Sequence, residues 1–290
     1  MSLPTPTLEA GVDPVTWTTA LQRAMRYEWR HLAALRSTWI LLCAVAALSL
    51  LAGATASIGL EPGTAPSSWS MVVAFNMDAI SMQLPLSALL LLPLATGPVA
   101  TEISRGTART TWLTLASRHT AFTAKLLVGG GLGALSALGG TIVVGLSATV
   151  SLAVSGKAQP DWAQTLPGLL GYTIFMACWP VIAASVVALV RSRIAAALLL
   201  VLWPLLGERI AGLLLGFVPG LEALAGWLPF GAGRAAMAAS ADTLPETDRA
   251  LVQTFVGSEL STGAGTAVFI GFTIVIAAIG AWSYIRKDAQ

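Results

Sequence analysis

Long stretches of this chain carry no charged residue, which the surface of a water-soluble fold does not tolerate. Between Arg36 and Glu61 lie 24 uncharged residues, between Asp78 and Glu102 lie 23, between Lys125 and Lys157 lie 31, and between Asp161 and Arg191 lie 29. Leu260 to Ile285 adds 26 more. A helix needs about 20 apolar residues to cross the hydrocarbon core of a bilayer. These runs therefore read as five membrane spans, expected at about 38–58, 79–101, 122–154, 166–190 and 263–284. Only 10% of the 290 residues are charged, against about 25% in soluble domains, and this excludes a cytosolic enzyme.

A sixth span is interrupted. Ile194 to Gly207 gives 14 uncharged residues before Glu208 and Arg209, and Ile210 to Leu221 gives 12 more. The expected reading is one transmembrane helix over 194–217, stopped by Pro219 and Gly220. The alternative is a re-entrant pair of half-helices, tolerated only where irregular backbone is buried in protein.

Lys and Arg are enriched in cytoplasmic loops, and here their positions orient the chain. With six spans and both termini inside, the inner segments hold 12 of the 16 basic residues: Arg23, Arg26, Arg30, Arg36, Arg105, Arg109, Arg118, Lys125, Arg191, Arg193, Arg286 and Lys287. The outer segments hold nine of the 14 acids. The net charge of +2 is then the difference between two membrane faces and gives no reason to expect a nucleic-acid partner. Ala54-Thr55-Ala56 resembles a signal-peptide cleavage site, but the polar segment before it is too long and the apolar run exceeds an h-region. The first span is expected to be retained. Cys43 and Cys178 both fall inside spans and read as small apolar packing residues.

Residues 1–16 read as a mobile leader, and 17–36 as an amphipathic helix lying in the membrane interface. Leu21, Met25, Trp29 and Leu32 recur at spacings of 4, 4 and 3, while Arg23, Arg26 and Arg30 point elsewhere. Arg on one face and Trp on the other suit the interface.

The 102–121 segment between the second and third spans contains Glu102, Arg105, Gly106, Arg109, Trp112, Leu115, Arg118 and, shortly after, Lys125. A solvated linker has little need of Trp112, Leu113 and Leu115, so a short helix across the membrane face is expected from about Thr107. Glu102, Gly106-Thr107, Arg109, Ser117-Arg118 and Lys125 together resemble the cytoplasmic loop of ABC-2 type permeases, the membrane subunits of bacterial ABC exporters. The resemblance includes the arginine-rich helix before the first span, the six spans, Trp203-Pro204-Leu205-Leu206 followed by Glu208, and Leu228-Pro229-Phe230 in the last outer loop. One departure is Ala116, where many relatives carry proline.

The resemblance implies a permease in the bacterial cytoplasmic membrane, working with a second permease copy or a homologous permease. Two copies of a separate ATPase subunit would rest on the loop and the N-terminal helix. The chain itself has no P-loop, since its only Gly-Lys pair, Gly156-Lys157, is followed by Ala158. Any ATP and Mg²⁺ are therefore expected on the ATPase, with no cofactor on this chain. No metalloprotease or serine-protease constellation is present either: the two histidines, His31 and His119, flank spans, and Ser147 lacks a base within the bilayer. Two other function classes stay open, a non-transporting membrane anchor of a larger complex and an ATP-independent transporter or channel.

Four further features need a reason. Gly129, Gly133, Gly140 and Gly145 in the third span allow close helix approach, either within one bundle or at a dimer seam. Pro85, Pro93, Pro98, Pro180 and Pro204 lie in or beside spans. Glu208 is an ionisable group inside the membrane and by default a functional residue: it pairs with a neighbouring helix, lines a transport path, or sits at the outer boundary. Arg209 points about 100° away on a helix and is not automatically its partner. In the 218–262 loop, Leu221–Phe230 and Leu251–Val256 are too short to cross and read as interfacial or re-entrant helices, while Asp242, Glu246 and Asp248 read as a solvated turn.

Overall fold

Three side chains set where the long helices begin. Ser117 accepts from the Thr120 amide at 3.1 Å, Asp161 from the Ala163 and Gln164 amides at 3.0 and 3.3 Å, and Ser192 from the Ala195 amide at 3.3 Å. Each satisfies donors that a helix start leaves open. In the computed structural model, which describes residues 16–76, 84–105 and 117–286, the chain is 83% helical with no strand among the described residues.

The elements are α1 (Trp17–Ala34), α2 (Arg36–Ala54), α3 (Ser68–Asn76), α4 (Leu86–Arg105), α5 (Arg118–Val154), α6 (Trp162–Val190), α7 (Arg193–Gly216), α8 (Glu222–Ala225), α9 (Pro229–Met237), α10 (Glu246–Val256) and α11 (Thr262–Arg286). A 3₁₀ segment, Ala238–Thr243, joins α9 to α10. Six helices, α2, α4, α5, α6, α7 and α11, are long and apolar enough to span a membrane.

Two boundaries depart from the sequence reading. The second span was expected from 79, yet α4 starts at Leu86, just after Pro85; residues 77–83 lie outside the described residues. The third was expected from 122, yet the Ser117 cap starts α5 at Arg118, which places Lys125 two turns inside a helix. The fifth span is a single helical rod. It contains a π-helical turn, Trp203–Gly207, ends at Gly216, and is followed by Gly220 at φ +86°. Pro204 has no amide to donate and lies within that turn, where the ladder widens to i→i+5: the Glu208 amide bonds Trp203 O.

α6 is the core of the bundle. More than half of its apolar window is buried, against about a fifth for α2, α5, α7 and α11, whose outward Ile142, Leu146, Leu213 and Ile274 remain exposed. An apolar exterior of this kind is what hydrocarbon requires of a helical bundle. Along α6, Phe175 stacks on Phe269 of α11 at 4.9 Å, and the Trp179 indole donates to Ala88 O of α4 at 2.8 Å. Gly133 of α5 has no room for a side chain, because a Cβ there would lie 2.0 Å from Met176 O. Gly140 faces Ser49 of α2, so both glycines serve packing within one bundle.

The start of α5, the end of α6 and the end of α11 meet at one end of the bundle. The Arg118 Nη1 donates to Ile285 O at 3.0 Å, Ser283 Oγ to Ala188 O at 3.1 Å, and the Phe122 and Tyr284 rings stack at 4.8 Å. The opposite end is tied by Ala158 N to Thr64 O at 3.0 Å and Ser68 Oγ to Asp161 O at 3.4 Å. The short helices of the 218–262 segment gather there. Glu246 and Asp248 do not sit in a turn: they form the first turn of α10, where acidic side chains favour the helix dipole.

Candidate functional site

Two separate buried ionic clusters lie within the bundle. The first begins with α1. Its buried stripe is Ala20, Ala24, Glu28 and Leu32, with Leu21 and Met25 partly buried at its edge and Trp29 48% exposed. The stripe packed on the bundle thus differs from the Leu21–Met25–Trp29–Leu32 spacing read in the sequence. Position 28 continues the spacing of four from 20 and 24, and residue 29 is rotated about 100° outward. The two alanines let α1 lie close to α5, and a carboxylate continues the buried stripe.

Glu28 is 1% exposed and forms an ion pair with the Lys125 ammonium. Lys125 also contacts Glu102 Oε1 at 2.8 Å, and the Tyr284 hydroxyl donates to Glu102 Oε2 at 2.7 Å. One cation and two acids thus join α1, the end of α4, the start of α5 and the end of α11. Buried charges persist only when paired in this way. Burial pushes the Glu28 carboxyl above the ordinary value of 4.5, Lys125 opposes that shift, and Glu102 adds to it.

Sequence reasoning placed Glu102 and Arg118 on a surface offered to another subunit. Glu102 is instead 9% exposed and turned inward, and Arg118 is half-buried against the end of α11. Gly106, Arg109, Trp112 and Leu115 lie outside the described residues, as does the side chain of Arg105. Residues 1–15 of the leader also lie outside them. Arg23, Arg26 and Arg30 are exposed and, with Tyr27 and His31, line an open cleft of about 460 Å³ on the outward face of α1.

The second cluster answers what Glu208 does. It is 2% exposed, and its two carboxylate oxygens accept from the Phe230 and Gly231 amides at 2.7 and 2.8 Å. Pro229 opens α9, so these are first-turn amides with no partner inside their own helix. A carboxylate from a different helix caps them, and the positive end of the α9 dipole favours its charge. The partner in charge is Arg234, one turn along α9: its Nη2 is 3.5 Å from Glu208 and its Nε donates to Val256 O at 2.9 Å. Of the three readings of Glu208, the pairing with a neighbouring element is the one observed. Arg209, adjacent in sequence, is not that partner.

α9 itself is buried over Phe230–Met237, between α6 and α11. Gly171 of α6 makes this possible, since a Cβ there would sit 2.1 Å from Ala236 O. No protein-family model matches the chain, and no curated protein or solved structure is detectably similar to it.

Proposed function

We propose that this chain is the membrane-spanning permease subunit of an ATP-driven ABC exporter, in a bacterial cytoplasmic membrane. In this reading both termini are cytoplasmic, α1 lies in the inner interface, and α9 and α10 form the outer cap, α9 as a re-entrant helix. A separate ATPase in two copies binds ATP and Mg²⁺, and a second permease completes the transporter.

The observation that carries the reading is the junction of Glu28, Lys125, Glu102 and Tyr284. The end of α4 and the start of α5, the two described ends of the chain around 106–116, are both held in the cluster together with α1 and α11. Force applied to that loop or to α1 by a moving subunit would be passed to three spanning helices at once. Exposed arginine pairs contribute only about 0–1 kcal/mol each. Apolar burial of Trp112 and Leu115 on the ATPase should therefore dominate attachment.

The reading expects a P-loop protein to be encoded beside this chain, and the test co-expresses and co-purifies that protein with it in lipid nanodiscs. The ATPase rate of the complex is expected to differ from that of the ATPase alone. Trp112→Glu together with Leu115→Glu is expected to remove that difference while leaving the permease folded. Solute flux through the chain reconstituted without any ATPase would overturn the reading.

A further inference from the structure

We propose that the cleft between the outer half of α7 and the segment leading into α9 is a binding site for an amphiphile with an anionic headgroup. The cavity measures about 520 Å³, within the ~300–1,000 Å³ usual for small-molecule sites. One wall is a single face of α7, on which Arg209, Gly212, Leu213, Gly216 and Phe217 recur at helical spacings of three and four. Ala225 and Leu228 form the facing wall. The two glycines keep the space open: a Cβ at Gly216 would meet no atom within 4 Å, and one at Gly212 would touch only Leu228 and Ala225 at 3.7 and 3.9 Å.

The two ends of the cleft differ in character. Leu213 is 66% and Phe217 81% exposed, so the mouth opens through an apolar surface and admits a ligand from the hydrocarbon. The other end holds Glu208, Arg209 and Arg234, with Glu208 and Arg234 almost wholly buried. Both Glu208 oxygens are already engaged by amides of α9. The three side chains sum to a net positive charge, to which the N-terminal end of α9 adds a partial one. A carboxylate, sulfate or phosphate head gains charge-assisted hydrogen bonds there, whereas a cationic head meets like charge. The π turn contributes the geometry. Shifting the helical register just before Glu208 turns that carboxylate toward α9 and leaves Arg209, Leu213 and Phe217 lining the cleft. π turns recur at functional sites for this reason.

This inference deepens the exporter reading by naming a substrate class, but the site itself needs no ATPase. Binding is therefore measured on the full-length chain alone, purified in a neutral maltoside detergent, by native mass spectrometry. The probes are oleate, oleyl alcohol, and phosphatidylglycerol and phosphatidylcholine with matched acyl chains. One oleate per chain is expected, held at least tenfold more tightly than oleyl alcohol. Displacement of oleate by phosphatidylglycerol but not phosphatidylcholine assigns the site to a membrane lipid. Failure of both phospholipids to displace it assigns the site to a single-chain amphiphile, and either outcome supports the proposal. Arg209→Gln is expected to weaken oleate about tenfold, the factor that ~1.4 kcal/mol of lost interaction gives. Gly216→Leu, which fills the cleft without a clash at its first atom, is expected to abolish binding with the melting temperature unchanged. Absence of bound oleate, equal affinity for oleyl alcohol, or unaltered binding in a folded Gly216→Leu protein would each overturn the proposal.

Discussion

Replacing Lys125 by methionine isolates what the α1 junction contributes. The substitution keeps the stem that packs in α5 and removes the cation that pairs with both Glu28 and Glu102, which are 1% and 9% exposed. Breaking a buried pair by deleting one partner costs about 3–5 kcal/mol, because the remaining charge stays buried without compensation. Two carboxylates remain here, so the upper part of that range is expected. On the scaling for large domains this lowers the melting temperature by roughly 10 °C. Glu28→Gln is the contrasting variant. Lys125 keeps Glu102 at 2.8 Å, the amide oxygen replaces one acceptor, and the expected loss is below about 1 kcal/mol.

A triple variant, Lys125→Met with Glu28→Leu and Glu102→Gln, removes cation and acids together. It is expected to recover most of the lost stability, since a whole buried ion cluster can be exchanged for apolar groups at little cost. Unfolding is followed by heating the detergent-solubilised protein with a thiol-reactive dye that reads the half-buried Cys178, in a Cys43→Ser background because Cys43 is exposed. Equal melting of Lys125→Met and the parent would refute the argument. So would a Glu28→Gln loss as large as that of Lys125→Met.

Three further outcomes follow from the same coordinates. Glu208→Ala leaves Arg234 and the Phe230 and Gly231 amides without their acceptor and is expected to cost about 3–5 kcal/mol, with Glu208→Gln costing clearly less; melting curves that rank them the other way contradict the capping role. The folded-state pKa of Glu28 lies above 4.5 chiefly through burial, so its contribution to stability is present at acidic pH and is lost as pH rises through that raised value. His31, Lys125 and Glu102 are the charged or titratable groups acting on it, and the melting temperature of Glu28→Gln relative to the parent should therefore climb as pH rises above 4.5. Gly171→Ala places a methyl 2.1 Å from Ala236 O and is expected to cost about 1–3 kcal/mol by overpacking, whereas Gly131→Ala, with no atom within 4 Å, should be neutral in the same melting assay.

What was legible in the sequence was decided by distance along the chain. A membrane span announces itself within its own residues, because 20 or more positions must all avoid charge, and the runs ending at Glu61, Lys157 and Arg191 did so without ambiguity. The fifth span was harder, since Glu208 interrupts it. The helix continues through that residue because its carboxylate is satisfied elsewhere, on amides 22 and 23 residues further on. α1 carries a contact that its local pattern did not announce. Beside the Leu21–Met25–Trp29–Leu32 spacing runs a second stripe through Ala20, Ala24 and Glu28, and that one is buried in the bundle. Lys125, the partner of Glu28, lies 97 residues away, and the Tyr284 hydroxyl reaches Glu102 across 182. One local signal was available: Ser117, recognised as a helix cap, would have moved the start of the third span from 122 to Arg118.

The clusters constrain how such a bundle can move. Each consists of charges with low exposure, so separating its members would strand buried ions at several kcal/mol apiece, whereas sliding apolar or small-residue contacts exposes no charge. In one cluster α1, α4, α5 and α11 are bound into a common body; in the other, α7 is bound to α9. α6 lies between them without a single charged residue from Trp162 to Val190 and meets its neighbours through stacked rings and close-packed glycines. A rearrangement that opens the bundle while keeping both clusters intact must therefore run along the faces of α6 and along the contact of α9 with α11. Introduced crosslinks that lock α6 to α5 should arrest it, and crosslinks within either cluster should leave it free.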